Sequence, residues 1–123
     1  MKKLIFTAAF SLFIVCVLKA QTIKFENTLH DFGKIPDSKS VIYKFKFTNT
    51  GKAPLILQQP ESSCDCTIPV VSKAPVLPDK SSEISITFKP ENAGPFFRTI
   101  TVKSNATNGK ITLTVQGIVT ENN

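Results

Sequence analysis

An all-β antiparallel sandwich of about seven short strands is the fold this sequence predicts. Four segments alternate apolar and polar residues with a period of two, the pattern of strands buried on one face. Turn-forming residues fill the gaps between them. No window after residue 20 repeats with the 3.6-residue period of a helix. Seven or so strands in about 100 residues fit two packed sheets. A small barrel is the alternative.

The chain of 123 residues opens with an address rather than with structure. Lys2 and Lys3 precede an uncharged run over residues 4–18, followed by Lys19, Ala20 and Gln21. This order of charge, apolar run and small residue predicts a secretory signal peptide over residues 1–20, cleaved after Ala20. As a helix the run would span about 22 Å, short of the roughly 30 Å hydrocarbon core of a bilayer. No transmembrane anchor is therefore expected in the mature chain. Cys16 raises lipidation as an alternative. Val15 and Phe13 stand where a lipoprotein signal carries a small residue and a leucine, so Cys16 reads as part of the discarded run.

The working domain is then residues 21–123, and its strands follow in order. Residues 22–26 and the surroundings of Phe32 are short and strand-like. In residues 40–49, Tyr43, Phe45 and Phe47 share one face, with Lys44, Lys46 and Thr48 on the other. Residues 54–57 and 63–68 are two further short strands. In residues 82–89, Ile84, Ile86 and Phe88 alternate with Glu83, Ser85 and Thr87. Residues 98–103 place Ile100 and Val102 inward, and residues 110–119 do the same for Ile111, Leu113 and Val115. Turns are expected at Asn49-Thr50-Gly51, Pro78-Asp79-Lys80, Asn92-Ala93-Gly94-Pro95 and Asn108-Gly109, the last a hairpin signal. Phe25, Phe32, Tyr43, Phe45, Phe47 and Phe88 are the expected core. Phe96 and Phe97 are adjacent, so a strand points them to opposite faces. One of them must face outward or be covered by a loop or a partner.

Charge and composition exclude most other functions. The chain carries 15 Lys and Arg against 9 Asp and Glu, a net charge of +6. Removing residues 1–20 takes away Lys2, Lys3 and Lys19 and leaves a net +3. The remaining lysines lie singly along strands, where they keep edges from pairing with other chains. No clustered basic footprint of a nucleic-acid binder is present. With 1 His, the chain cannot assemble a paired-His metal site, and no phosphate-cradling glycine motif occurs. No enzyme activity and no cofactor are expected. Asn105-Ala106-Thr107 matches a glycosylation acceptor, a triplet that is common by chance.

Ser63-Cys64-Asp65-Cys66-Thr67 is the one constellation with chemistry in it. Residues i and i+2 of an extended strand lie about 6.6 Å apart. A disulfide wants its Cβ atoms about 3.5–4.5 Å apart, so a Cys64–Cys66 bond needs a bend at Asp65. Such a bond would contribute only about 1.6 kcal/mol through chain entropy. Four readings stand: a local disulfide, a dithiol that binds a soft metal such as copper(I) or zinc, an intermolecular disulfide, or packed free thiols. His30 and Asp65 are the other ligand types nearest in kind. His30 reads as a surface or turn residue beside Asp31.

Several segments in this order resemble one known family. They are Asp31-Phe32-Gly33-Lys34-Ile35, Phe45-Lys46-Phe47-Thr48-Asn49-Thr50-Gly51 with Pro54-Leu55-Ile56, Ser63-Cys64-Asp65-Cys66-Thr67, Leu77-Pro78, and Gly94-Pro95-Phe96-Phe97 leading to Ser104-Asn105. The chain is similar in these to the domain-of-unknown-function family 1573, across about Ile23 to Val119. The resemblance implies a bacterial, exported protein with an immunoglobulin-like sandwich similar to the major-sperm-protein and PapD-like domains. It implies no enzyme activity. The family carries Cys-Gly-Cys-Thr; here Asp65 stands in place of the glycine that would ease a bend.

The expected function is a non-catalytic binding module of the cell envelope, periplasmic or extracellular, contacting another protein or an envelope component. The alternatives are a thiol-based metal-binding or redox protein using Cys64 and Cys66, and a purely structural envelope protein.

Overall fold

Eight strands form among the described residues, 22–121, of a computed structural model. They are β1 (Ile23–Phe25), β2 (Leu29–Pro36), β3 (Val41–Asn49), β4 (Glu61–Ser62), β5 (Thr67–Val71), β6 (Ser81–Phe88), β7 (Gly94–Lys103) and β8 (Lys110–Thr120). The segment expected to be a signal peptide, with Cys16 and the cleavage after Ala20, lies outside the described residues. Among those residues no helix is long and apolar enough to cross a membrane.

Two four-stranded sheets face each other, in the orders β1-β3-β6-β5 and β2-β8-β7-β4. The alternating segments supply the centre. Phe45 and Phe47 of β3, Ile84 and Ile86 of β6, Ile100 and Val102 of β7, and Leu113 and Val115 of β8 are buried between the sheets, joined by Leu55 and Leu57. A second cluster closes one end of the sandwich: Ile35, Cys66, Phe88, Phe96 and Val119, with Phe32, Val41 and Cys64 packed against it.

The structure departs from the sequence expectation in four places. First, β2 pairs with β8 in parallel, while all the other pairs are antiparallel. Local alternation is blind to strand direction, so nothing in the pattern distinguishes the two. Second, residues 63–68 are not one strand. The chain leaves one sheet after β4, turns at Cys64–Cys66, and enters the other sheet as β5. Third, residues 54–57 make only the isolated bridges Leu55–Val76 and Leu57–Ser104. The Asn105 side chain braces the segment: Ile56 N donates to Asn105 Oδ1 at 2.9 Å, and Asn105 Nδ2 donates to the Pro54 carbonyl at 3.2 Å. Fourth, Phe25, Phe32 and Tyr43 are half-buried rather than buried. Phe25 and Phe32 sit on the edge strands β1 and β2, and the Tyr43 hydroxyl reaches the Asn27 amide at the rim.

Asparagines fasten the loops to this frame. Asn49 is fully buried and every polar atom of its amide is used. Its Nδ2 donates to the Ala53 and Val76 carbonyls, both at 2.8 Å, and its Oδ1 accepts from Gly51 N at 2.9 Å. Asn108, in the β7–β8 connection, pairs with β1 as a backbone would. Its Oδ1 accepts from Ile23 N at 3.1 Å and its Nδ2 donates to the Ile23 carbonyl at 2.9 Å.

Candidate functional site

The turn between β4 and β5 is built by side chains that cap its backbone. Ser62 Oγ donates to the Cys64 carbonyl at 2.8 Å and accepts from Cys64 N at 3.2 Å. Thr67 N donates to the same carbonyl at 3.1 Å, and Lys89 N donates to the Cys66 carbonyl at 2.8 Å. On the β7 side, Ser63 N donates to the Thr99 carbonyl at 2.9 Å and Thr99 N donates to Ser63 Oγ at 3.0 Å. This bend, with Asp65 exposed at its tip, brings the Cα atoms of Cys64 and Cys66 to 5.2 Å, and the two are joined by a disulfide. That separation lies within the usual range for such a bond.

The two sulfurs differ in their surroundings. Cys66 is 3% exposed and belongs to the end cluster with Phe88 and Phe96, while Cys64 is half-buried. Arg98 Nε lies 3.3 Å from Cys66 Sγ, and its Nη1 donates to the Phe97 carbonyl at 3.0 Å. Thr67 Oγ1 is 3.6 Å from Cys66 Sγ, and Cys66 N donates toward Cys64 Sγ at 3.2 Å. Arg98 was not expected at this site. The signal was present: it is the one arginine of the chain, at a position that alternates with Phe97 and Thr99 and so points inward.

His30, weighed as a metal ligand and read as a surface or turn residue, is neither a turn residue nor near a ligand set. It lies in β2, half-buried, with its ring stacked on Tyr43 of the opposite sheet at 3.7 Å and 8°. Phe32 meets the imidazole edge-on at 4.6 Å. Among the described residues no group of three or more His, Cys, Asp and Glu is placed to hold a metal ion.

Burial holds the His30 pKa below its ordinary 6.5, against a smaller upward pull from Asp31. In the folded protein the ring therefore gives up its proton more readily than in the unfolded chain. The stability this confers is complete above about pH 6.5 and is lost as pH falls through the lowered value. Thermal melts at pH 7.5 and 5.5 should show a lower melting temperature in acid. His30→Gln should reduce that difference, and an unchanged pH dependence would count against the stack as its origin. Asp31 adds a separate loss at lower pH. Its carboxyl is held below the usual range by the Gly33 N–H, by Gln116 and by His30.

On the outer face of the β2–β8–β7 sheet lies an apolar patch. Phe96 is 6% exposed and packs inward, and Phe97 is 59% exposed. Phe97 sits opposite Gln116, and Pro95 opposite Ile118, which is 45% exposed. The Asp31 carboxylate, bonded to Gln116 Nε2 at 3.3 Å, and Lys34 edge this patch from β2.

Residues 23–119 match the family model described as Protein of unknown function (DUF1573). No curated protein matches the chain. Solved structures similar to it include a protein of unknown function from Porphyromonas gingivalis W83, with TM-score 0.73 and 17% identity over 87% of this chain and 51% of that one. The chain thus spans about half the length of that protein. The seventh PapD-like domain of human CEP192, an ASH / PapD-like domain, gives TM-score 0.69 and 12% identity over 85% of this chain and 89% of its own. The Pseudomonas aeruginosa CupB2 chaperone gives TM-score 0.53 and 9% identity over 80% of this chain and 55% of its own. At these identities the likeness is one of fold: a PapD-like, immunoglobulin-like sandwich.

Proposed function

The chain belongs to the DUF1573 family of proteins of unknown function, and from that premise we propose that it is an exported, non-catalytic interaction module of the cell envelope. The exposed Phe97 carries this reading. A phenylalanine 59% exposed beside Ile118 and Pro95 leaves a large apolar surface in water, and such patches mark contact sites more often than single exposed residues do. The resemblance to a chaperone and to PapD-like domains supports protein as the partner. Export is supported by the pattern of residues 1–20, and places the module in the periplasm or outside the cell.

Two measurements test it. Phe97→Ser should change the melting temperature by less than about 3 °C, because surface substitutions typically stay within about 0.5 kcal/mol. A photo-crosslinker at position 97 should give one discrete adduct in the envelope fraction, lost when Ile118 is also changed to Ser. A chain that retains residues 1–20 and stays with the cytoplasmic fraction would refute export. Many diffuse adducts would refute a dedicated contact face.

A further inference from the structure

The inward positions of β7 are Phe96, Arg98, Ile100 and Val102, so a guanidinium stands in a row of core residues. It ends against sulfur, with Nε at 3.3 Å from Cys66 Sγ. A disulfide sulfur is a weak acceptor and offers a cation little. A thiolate offers a full charge, and an adjacent arginine lowers a thiol pKa for that reason. Glu91, on the loop after β6, is the other charged side chain lining the recess beside Cys66, and Asp65 faces outward.

We propose that Cys64–Cys66 is a reversible two-electron thiol–disulfide centre. An external dithiol attacks Cys64, and Cys66 leaves as a thiolate held by Arg98. In the first step a thiolate of the dithiol attacks Cys64 Sγ. A new sulfur–sulfur bond forms to it, the Cys64–Cys66 bond breaks, and the electron pair of the broken bond goes to Cys66 Sγ. In the second step the other thiol of the dithiol, having lost its proton to solvent, attacks its own partner sulfur in the mixed disulfide. The reductant closes to its disulfide, and Cys64 leaves as a thiolate that takes up a proton. The dithiol has lost two electrons and the protein has gained them. The Cys66 thiolate, once released, takes the second proton back from solvent. The leaving-group assignment follows from which sulfur each neighbour touches: Cys64 is the less buried, and Cys66 is the one beside the cation.

The turn does not depend on the bond. Hydrogen bonds from Ser62, Ser63, Thr67 and Lys89 hold its backbone independently. Closing so small a ring removes little chain entropy and so adds little stability. Reduction therefore leaves the sandwich standing, as a cycling centre requires.

The test uses the full chain with Cys16→Ser, so that only Cys64 and Cys66 report. Dithiothreitol at pH 7 should release two thiols per chain while the far-ultraviolet circular dichroism stays native. Arg98→Met should slow that reduction about tenfold, and Arg98→Lys should slow it less. Limiting reduced glutathione, followed by acid quench and peptide mapping, should place glutathione on Cys64 and the free thiol on Cys66. That mapping needs no substitution at Arg98 and stands even if Arg98→Met does not fold. Thiols that appear only as the circular dichroism is lost, reduction of Arg98→Met at the parent rate, or glutathione on Cys66 would each overturn the proposal.

Discussion

Asn49→Ala is expected to cost about 3 kcal/mol, a large share of the stability of a domain this size, and to lower its melting temperature by about 15 °C. The amide is fully buried between β3, the turn that follows it and the segment before β6. Alanine removes two donors and one acceptor at once. The Ala53 carbonyl and the Gly51 N–H lose this partner inside the protein, where an unmet polar group costs about 1–3 kcal/mol. The Val76 carbonyl keeps its bond from Leu55 N. Asn49→Asp should be no better. It retains the acceptor for Gly51 but sets a carboxylate against two carbonyl oxygens. Thr50→Ala is the control in the same turn. Its hydroxyl bonds only at the surface, to Thr22, and its loss should cost less than about 1 kcal/mol. Urea denaturation of the three variants checks the ranking. Equal losses for Asn49→Ala and Thr50→Ala would show that the amide is not the pin.

Gly117→Ala is expected to cost about 2–3 kcal/mol by overpacking. Gly117 lies in the middle of β8, opposite Phe96 and beside the irregularity in β2. A Cβ there would lie 2.7 Å from the Gly33 carbonyl oxygen and 2.9 Å from two carbons of the Phe96 ring. Neither neighbour can step aside freely. Gly33 is fixed by its left-handed φ of 68° and by its N–H bond to Asp31 Oδ1 at 2.7 Å. The Phe96 ring is held on Phe88, centroids 4.0 Å apart and planes 15° apart. Phe96→Leu removes ring atoms that the new methyl strikes. In a double-mutant cycle it should therefore be less damaging in the Gly117→Ala background than alone. Strict additivity of the two losses would rule out the ring as the obstacle.

The sequence exposed what is local and hid what is paired at a distance. The alternation of Phe45 and Phe47, of Ile84 and Ile86, and of Leu113 and Val115 names both the strands and their inward faces, because side chains of a strand change sides at every residue. Phe96 and Phe97 were separable by the same rule. The parallel partnership of β2 with β8 was not, since its register from Leu29 with Thr114 to Pro36 with Thr120 leaves no trace in either strand alone. Asn49 was legible as a turn residue but not as a buried one. Asparagine suits a turn whether it meets water or, as here, three backbone groups of the interior. At the cysteines, the need for a bend was visible in the spacing. That the bend is also the crossing between sheets became visible only with β4 and β5 assigned to opposite ones. Gly117 and Arg98 had signals that alternation arguments pass over: a glycine inside a strand, which marks a close approach, and a charge at an inward position.

The last of the described strands in chain order is also a central one. β8 lies between β2 and β7, and the partners it joins are more than eighty residues apart at one side and adjacent in sequence at the other. A chain that emerges from the ribosome or through a membrane N-terminus first can pair β6 with β3 and β5 early. In the other sheet β7 has only β4 beside it, and β2 has no partner, until residues 110–120 arrive. Until then β2 and β7 present bare edges, which pair with whatever strand is offered. The sheet is completed only when β8 enters between β2 and β7, and that gap is the part of the unfinished domain most in need of cover.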